Sequence, residues 1–299
     1  MTPKTKPVTR LTSLCIACLA EKYLYKHPAD ASEEDIIRYR QAVCRTLAEA
    51  TMDKSAPELV AQFTKAAKEI FGTVEDVSDA KRYFNDLMLA RADALTASLN
   101  AADDPLRLAL SYSMLGNYID FGTVANIDED KLSAMLDGAK NLTYSDREFA
   151  RLKEDLARAK RLVFLTDNCG EIVLDKILIT EILRAFPNIR AEAIVRGAPV
   201  LNDATIDDAL QVRLPDLLPV SDNGSAIAGT CLTDISEATL EKLSQADIIL
   251  AKGQANFETL RACGMNVYYI FMCKCKLFAV RFGVPMYSGM LLNDRSAGE

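Results

Sequence analysis

The second half of the sequence alternates short apolar runs with helical stretches, and this alternation restricts the fold more than any other feature. The runs are rich in β-branched residues, and small or polar residues follow each of them. Strands separated by helices at this spacing predict an α/β fold with a mainly parallel sheet and helices on both faces. The predicted strands are 162–165, 191–195, 217–220, 248–251 and 267–272, with 283–286 as a last short strand.

The first half of the sequence has a different pattern. From Leu11 to about Arg158, apolar residues recur at spacings of three and four, and strand-like runs are missing. The segment SEED at 32–35 is typical of a helix start, with Ser32 as the N-cap. The sequence therefore predicts a helical N-terminal domain over residues 1–155 and an α/β domain over residues 156–299.

Composition excludes several classes of function. The chain has 299 residues, 49% of them hydrophobic, and a formal net charge of −7. This acidic balance disfavours nucleic acid and anionic membranes as partners. The first residues contain no apolar signal core, and no run of about 18 apolar residues predicts a membrane span. We therefore expect a cytoplasmic protein, while the sequence gives no indication of its oligomeric state.

Histidine chemistry is nearly excluded as well. The chain has one histidine, His27, which precedes Pro28 and is expected at the surface near a helix end. Ser-His-Asp triads, Cys-His pairs and His-rich metal centres all need an imidazole placed in the site. Acid–base work would therefore fall to carboxylates, lysine, cysteine, tyrosine or metal-bound water.

The eight cysteines allow three interpretations. Cys15 and Cys18 form a CxxC pair and Cys273 and Cys275 a CxC pair, so four thiolates could hold a zinc ion if the N-terminus packs near the sheet. We favour ordinary reduced thiols, and redox chemistry is the third interpretation. Cys169 lies at a predicted helix start, but without a histidine to assist it we expect a packing residue.

Polar residues follow three of the predicted strands. Asp167 and Asn168 come after the first strand, Asp203 comes after the second, and Lys252 follows the run at 248–251. The carboxyl ends of parallel strands meet at one edge of a sheet, so these side chains are expected to share a site. Asp167, Asn168 and Asp203 offer two carboxylates and an amide oxygen, a donor set suited to Mg²⁺. The alternative for each residue is that it only caps the following helix.

Lys252 and Gly253 suit an anionic ligand. A lysine at a sheet edge can hold a phosphoryl group as a point charge, and Gly253 allows the backbone to approach a ligand closely. The alternative is a surface lysine paired with an acid. The sequence contains neither GxGxxG nor GxxxxGK[ST], so dinucleotide and P-loop nucleotide binding lose their usual support. The segment GNYIDF at 116–121 is typical of a helix end followed by a polar turn.

Four motifs, in this order, resemble the damage-control phosphatase family, formerly called domain of unknown function 89 and related to the ARMT1-like proteins. They are GNYIDF at 116, TDNCGE at 166, RGAPVLNDAT at 196 and AKGQANFE at 251. The CxxC pair and Lys274-Cys275 are similar to the short, mostly prokaryotic subfamily. Departures are small: Ala255 stands where glycine is common, and Met272-Cys273 replace the more usual residues before Lys274.

The resemblance implies a helical N-terminal region followed by a Rossmann-like three-layer α/β/α domain. It also implies a metal-dependent phosphatase acting on small phosphorylated metabolites, such as sugar phosphates or phosphopantetheine-like compounds. Asp167, Asn168 and Asp203 match the family's metal ligands, with Mg²⁺ or Mn²⁺ as the expected ion and Co²⁺ or Ni²⁺ as alternatives. Lys252 matches its phosphate-binding lysine. Further positions that match the pocket are Glu171, Asn117, Asp120, Asn256 and Glu258.

Several points stay open at this level. Glu171 or Asp120 is expected to carry the proton, and the attacking group is either water or a carboxylate. One alternative function is an S-adenosylmethionine-dependent carboxyl methyltransferase, against which the missing glycine-rich loop weighs. The other is a non-catalytic binder of phosphorylated metabolites. Pocket walls are expected from the helical region, and the substrate itself is not indicated.

Overall fold

A computed structural model gives the structure of residues 11–72, 76–117 and 129–295. The α-helices in these parts of the chain are α1 (Ser13–Tyr23), α2 (Glu33–Glu49), α3 (Ala56–Phe71), α4 (Ser78–Asn100), α5 (Pro105–Gly116), α6 (Glu129–Asp137), α7 (Asp146–Arg158), α8 (Glu171–Ala185), α9 (Ile206–Gln211), α10 (Glu237–Gln245), α11 (Gln254–Leu260) and α12 (Lys276–Phe282). The strands are β1 (Arg161–Leu165), β2 (Arg190–Val195), β3 (Val220–Asp222), β4 (Ile248–Lys252), β5 (Val267–Met272) and β6 (Gly289–Asn293). None of these helices combines the length and the apolar composition that a bilayer-spanning segment needs.

The strands form a sheet in the order β3-β2-β1-β4-β5-β6. Strands β1 to β5 are parallel to their neighbours, and β6 is antiparallel to β5. The chain builds outward from β1 to β3 and then crosses over to β4, so the strand order reverses between β1 and β4. Doubly wound α/β proteins bind ligands at this reversal, outside the carboxyl ends of the strands. The prediction of an α/β fold with a mainly parallel sheet is confirmed.

Helices cover both faces of the sheet. Phe164 and Leu250 enter a core shared with α4, α5 and α8, whereas their neighbours Leu165 and Ala251 enter a second core shared with α10, α11 and α12. This follows from the alternation of side chains along a strand. Helix α8 is apolar on most sides because it lies between the sheet and the helices α4 and α5. The three-layer arrangement is therefore confirmed.

Helices α1 to α3 have a core of their own, formed around Tyr39, Leu59 and Phe63. The backbone amide of Asp35 donates to Ser32 Oγ at 3.1 Å, which confirms the predicted helix start. Helices α4, α5 and α7 instead contribute to a core that contains sheet residues. The division into domains near residue 155 stays a prediction.

Two predicted strands are displaced along the chain. The run 217–220 predicts a strand, but a 3₁₀ turn occupies Leu214–Asp216 and the strand is Val220–Asp222. This strand lies at the sheet edge and is only partly buried, so it has no apolar signature. Residues 283–286 also predict a strand. However, Gly283 ends α12 in the left-handed conformation, and the strand begins only at Gly289.

Candidate active site

The residues predicted as metal ligands lie together where β1 and β2 end. Asp167 and Asn168 follow β1, and Asn168 forms an isolated antiparallel bridge with Asp203 in the loop after β2. The backbone amide of Ala204 donates to the carbonyl oxygen of Asp167 at 2.6 Å. The two loops are therefore joined through their backbones, as the convergence of parallel strands predicts.

Each of these three residues keeps one side-chain oxygen without a hydrogen bond to the described parts of the chain. Asp167 Oδ2 accepts from Asn117 Nδ2 at 2.8 Å and from Asn168 Nδ2 at 2.7 Å, which leaves Oδ1. Because Asn168 uses its amide nitrogen in this way, its Oδ1 is the remaining atom. Arg196 Nε donates to Asp203 Oδ2 at 2.6 Å, which again leaves Oδ1. Two carboxylate oxygens and one amide oxygen suit a hard divalent cation.

Gly253 makes room for the Asp167 carboxylate. Its φ is +81°, and a Cβ at this position would lie 2.0 Å from Asp167 Oδ2 and 2.5 Å from Oδ1. No side chain fits there. The Asp167 carboxylate therefore requires a glycine here. The close approach to an anionic ligand that the sequence predicts for Gly253 stays a prediction.

The electrostatics of the site also fit a cation. Burial raises the pKa of Asp167 well above its usual range, and the charges of Glu171 and Asp203 raise it further. Burial raises the pKa of Asp203 as well, although Arg196 opposes this. Burial is the larger cause of both shifts, and repulsion from neighbouring carboxylates adds to it. A divalent ion would relieve the repulsion, so the charge and the donor set fit a metal of the expected type.

Glu171 and Asn117 lie directly beside these ligands. Glu171 begins α8, and its Oε2 accepts from Asn168 Nδ2 at 2.9 Å and from Asn117 Nδ2 at 3.2 Å. Asn117 caps the end of α5 and accepts the amide of Met272 at 3.1 Å through its Oδ1. The structure thus brings both residues into the site. Asp120, expected in the same pocket, lies outside the described residues.

Lys252 ends β4 and is fully buried. Its Nζ contacts Glu171 Oε1 at 2.5 Å, Asp175 Oδ1 at 2.8 Å and the carbonyl oxygen of Ser113 at 2.8 Å. The sequence predicts a phosphate contact for this lysine, and that contact stays a prediction. In the structure the ammonium group is directed to protein acceptors.

The other two expected pocket residues make different contacts. Asn256 donates to the carbonyl oxygen of Lys252 at 2.6 Å and accepts from Thr230 Oγ1 at 2.7 Å, so it ties β4 to a neighbouring loop. Glu258 accepts from Gln254 Nε2 at 2.8 Å on its own helix. Among the described residues, neither side chain is hydrogen-bonded to Asp167, Asn168 or Asp203. Contacts with substrate stay predictions for both residues.

The sequence reasoning missed four residues of this site. Arg196 follows β2 and is buried against Asp203, and Lys274 follows β5 at the same sheet edge and lies close enough to influence Asp167. Asp175 and Ser113 are hydrogen-bonded to each other, and each also accepts a hydrogen bond from Lys252. The signal for Asp175 was present, because it lies four positions after Glu171 and hence on the same face of an otherwise apolar helix.

The cysteines do not form a metal centre in the described structure. All eight are free thiols. No group of three or more histidine, cysteine, aspartate or glutamate side chains in the described residues is arranged to hold a metal ion, so the zinc alternative has no support here. Cys169 is fully buried, and burial raises its thiol pKa, as expected of a packing residue.

A large groove lies beside the loop that carries Asp203. Its volume is about 1660 Å³, and it is enclosed by residues of α2, α3 and α9 together with the loops at 198–205 and 226–234. The groove is lined by Val200, Leu201 and Thr205 on either side of Asp203, but not by Asp167, Asn168 or Asp203 themselves. Leu201 has a φ of +49° and an exposed side chain, a left-handed conformation that is uncommon for residues other than glycine.

Glu258 gives a pH-dependent prediction for stability. Burial raises its pKa from 4.5 to about 7, partly opposed by the Gln254 hydrogen bond. The folded state therefore retains a proton that the unfolded chain has lost, so this group makes stability fall as pH rises from about 4.5 to 7. Glu258→Gln should be as stable as wild type near pH 4.5. At pH 8 its free energy of unfolding should exceed that of wild type by about 1–2 kcal/mol, which raises its melting temperature. Thermal melts across this range test it.

Glu241→Gln is the matched control for this experiment. Glu241 accepts from Gln245 Nε2 at the same spacing and the same 2.8 Å distance, but it is exposed. Its replacement should leave the pH dependence of the melting temperature unchanged. Parallel melting curves for wild type and Glu258→Gln at every pH would show that the carboxyl group is not perturbed by folding.

Fold and site together define a class of protein: a doubly wound α/β protein with a carboxylate- and amide-lined site at the reversal of its strand order. The chain belongs to the damage-control phosphatase ARMT1-like domain family, whose model matches residues 11–290. The resemblance carried by the four motifs is therefore confirmed at the level of the family. The CxxC-containing subfamily stays a prediction.

Three relatives illustrate this membership. A damage-control phosphatase of Archaeoglobus fulgidus is 28% identical over 284 residues, which is 92% of this chain and 96% of the relative. A damage-control phosphatase of Pyrococcus horikoshii is 34% identical over 181 residues, 60% of this chain and 61% of the relative. An uncharacterised protein of Methanocaldococcus jannaschii is 32% identical over 233 residues, 75% of each chain.

A solved structure shows the same fold. The crystal structure of a protein of the domain of unknown function 89 family from Pyrococcus horikoshii superimposes with a TM-score of 0.82, covering 95% of this chain and 99% of the other. The two sequences are 23% identical in this comparison. The likeness supports the α/β architecture described above.

Proposed function

We propose that the protein is a metal-dependent phosphatase that hydrolyses small phosphorylated metabolites. One observation carries the proposal. Asp167, Asn168 and Asp203 each have a side-chain oxygen that accepts no hydrogen bond from another described residue. These residues lie at the carboxyl ends of the parallel strands, where α/β proteins bind ligands. A relative that matches 92% of the chain is named a damage-control phosphatase, which supports the reaction class.

The proposed ligands Asp167, Asn168 and Asp203 would hold Mg²⁺, Mn²⁺ or a similar ion. Such an ion polarises a phosphoryl oxygen and neutralises charge on the transferring group. The protein supplies a fixed arrangement around it. Asn117 and Arg196 each hold one oxygen of a carboxylate, so the other oxygen is oriented before the ion binds.

Lys274 is the residue we propose for direct contact with the phosphoryl group. Burial dominates the raised pKa of Asp167, but the positive charges of Arg196 and Lys274 act against it, so Lys274 lies within electrostatic reach of the site. Its side chain is partly exposed, whereas Lys252 and Arg196 are buried. A partly exposed cation beside the ligands can reach an incoming anion.

The groove beside Asp203 would hold the organic part of the substrate. Its walls combine apolar side chains such as Tyr39 and Leu201 with lysines such as Lys54 and Lys68. The helical region contributes one wall of this groove. This composition suits a metabolite larger than a phosphate ion, in line with sugar phosphates or phosphopantetheine-like compounds.

The proposal is tested by phosphate release from an aryl phosphate and from a panel of phosphorylated metabolites. Purified protein would be stripped with chelator and reloaded with Mg²⁺, Mn²⁺, Co²⁺ or Ni²⁺. We expect release that is lost with chelator and restored by at least one ion. Ligand-induced thermal shifts without turnover would instead indicate a binder, and methyl transfer from labelled S-adenosylmethionine would indicate a methyltransferase.

Lys274→Met tests the phosphate contact. Without the ammonium group, KM for a phosphate ester should rise about tenfold, since a charged hydrogen bond is worth roughly 1.5–3 kcal/mol. Inorganic phosphate should also become a weaker inhibitor. Lys276→Met, an exposed neighbour at the start of α12, serves as the control and should behave as wild type. Unchanged kinetics in Lys274→Met would remove this residue from the phosphate site.

A further inference from the structure

The fully buried Lys252 is enclosed by protein acceptors beneath the proposed metal site. An ammonium group has three N–H donors, and Lys252 has three acceptors at 2.5 to 2.8 Å, from Glu171, Asp175 and Ser113. Glu171 and Asp175 are themselves fully buried. A phosphate could be reached only by giving up one of these contacts.

We infer that Lys252, Asp175 and Ser113 are positioning residues, which hold Glu171 so that it orients the Asn168 amide toward the ion. The inference uses the metal site of the proposed function and assigns these residues a task without contact to substrate.

Hydrogen bonds connect the three residues to the site in a fixed sequence. Ser113 Oγ and Lys252 Nζ both donate to Asp175 Oδ1, at 2.7 and 2.8 Å. Lys252 also holds Glu171 Oε1. Glu171 then accepts from Asn168 through its other oxygen at 2.9 Å. An amide nitrogen held by a carboxylate directs the amide oxygen the opposite way, so Asn168 Oδ1 is presented as a ligand.

Charge explains why this arrangement needs a lysine. Glu171 lies beside the acidic Asp167, and a buried carboxylate without a partner is strongly destabilising. Lys252 supplies the partner from the side away from the ligands. Asp175 fixes Lys252 in turn, and in the described structure it makes no hydrogen bond to Asp167, Asn168 or Asp203. Without such a contact, Asp175 would act on the ion only through its charge or through Lys252 and Glu171, and Ser113→Ala tests the positioning role without a change of charge.

The experiment measures Mn²⁺ affinity by titration calorimetry in the absence of substrate. Removal of a group that orients a metal ligand typically lowers metal affinity by about 10–100-fold. We expect that range for Lys252→Met, about tenfold for Asp175→Asn and a smaller loss for Ser113→Ala. In a second titration, inorganic phosphate should bind the Mn²⁺-saturated variants as it binds wild type, unlike Lys274→Met. In turnover, the two larger replacements should lower kcat more than they raise KM.

Tyr268→Phe is the matched control. Tyr268 is buried in the same sheet and donates to Asp155 Oδ2 at 2.8 Å, away from the site. Loss of the Tyr268 hydroxyl group should lower thermal stability without changing Mn²⁺ affinity. If Lys252→Met does not fold, Asp175→Asn and Ser113→Ala carry the test.

Two results would overturn the inference. One is a Lys252→Met protein with wild-type Mn²⁺ affinity that no longer binds inorganic phosphate, since this indicates direct phosphate contact. The other is wild-type Mn²⁺ affinity in Asp175→Asn. A wild-type protein that binds no divalent ion would overturn the inference together with the metal site. Mn²⁺ binding without phosphate release would overturn only the proposed reaction.

Discussion

Replacing Asp167 by asparagine should lower kcat for phosphate release by about a thousandfold or more, because it removes the charge of a proposed ligand at the centre of the site. The fold should survive. Asp167 is buried between the charges of Glu171 and Asp203, which together with burial raise its pKa. A neutral side chain of the same shape relieves that repulsion, so the metal-free variant should melt at or above the wild-type temperature. Phosphate assays and thermal melts with and without Mn²⁺ measure both effects.

Loss of phosphate release together with an unchanged or higher melting temperature would identify Asp167 as a metal ligand. Wild type should gain thermal stability from Mn²⁺, since an ion that binds only the folded state stabilises it, and Asp167→Asn should not. Asp294→Asn is the control, because Asp294 is also hydrogen-bonded and partly buried but accepts from Tyr269 and Ala262 away from the site. Full activity in Asp167→Asn would show that this carboxylate is no part of the reaction centre.

The sequence predicts the fold well where burial dominates. Strands β1, β4 and β5 are buried along nearly their whole length, so an apolar run marks each of them. Strand β3 is a partly buried edge strand with the polar residues Ser221 and Asp222, and its true position is invisible to such a pattern. Strand β6 begins after a turn in which Tyr287 adopts a φ of +64°, and nothing in the local sequence requires that conformation.

The sequence likewise predicts some residues of the site and not others. Asp167, Asn168 and Asp203 were expected together because parallel topology alone brings the ends of neighbouring strands to one edge. The acceptors of Lys252 were not expected, since they come from α5 and α8, and the approach of these helices depends on tertiary packing. A lysine at the end of a strand can be accessible to solvent or enclosed by other side chains. The sequence therefore predicts the position of Lys252 but not whether a phosphate can reach it.

Gly253→Ala should damage both the stability and the activity of the protein. Gly253 combines a φ of +81° with a ψ of 158°, a region that is essentially restricted to glycine. The added Cβ would also lie 2.0 to 2.5 Å from the carboxylate atoms of Asp167. The carboxylate must therefore turn away, which breaks its hydrogen bonds with Asn117 and Asn168. We expect a loss of about 2–4 kcal/mol in the free energy of unfolding and at least a hundredfold loss of phosphate release.

Gly264→Ala separates backbone strain from collision with the carboxylate. Gly264 has nearly the same φ, +80°, but a Cβ there would meet no atom within 4 Å. Its replacement should cost only about 1–2 kcal/mol of strain and leave phosphate release and Mn²⁺ affinity unchanged. If Gly253→Ala matched Gly264→Ala in every measurement, Asp167 would have to tolerate the displacement, and the geometry assigned to the ligand oxygens would be wrong. A selective loss of Mn²⁺ affinity in Gly253→Ala would instead show that this glycine serves the site.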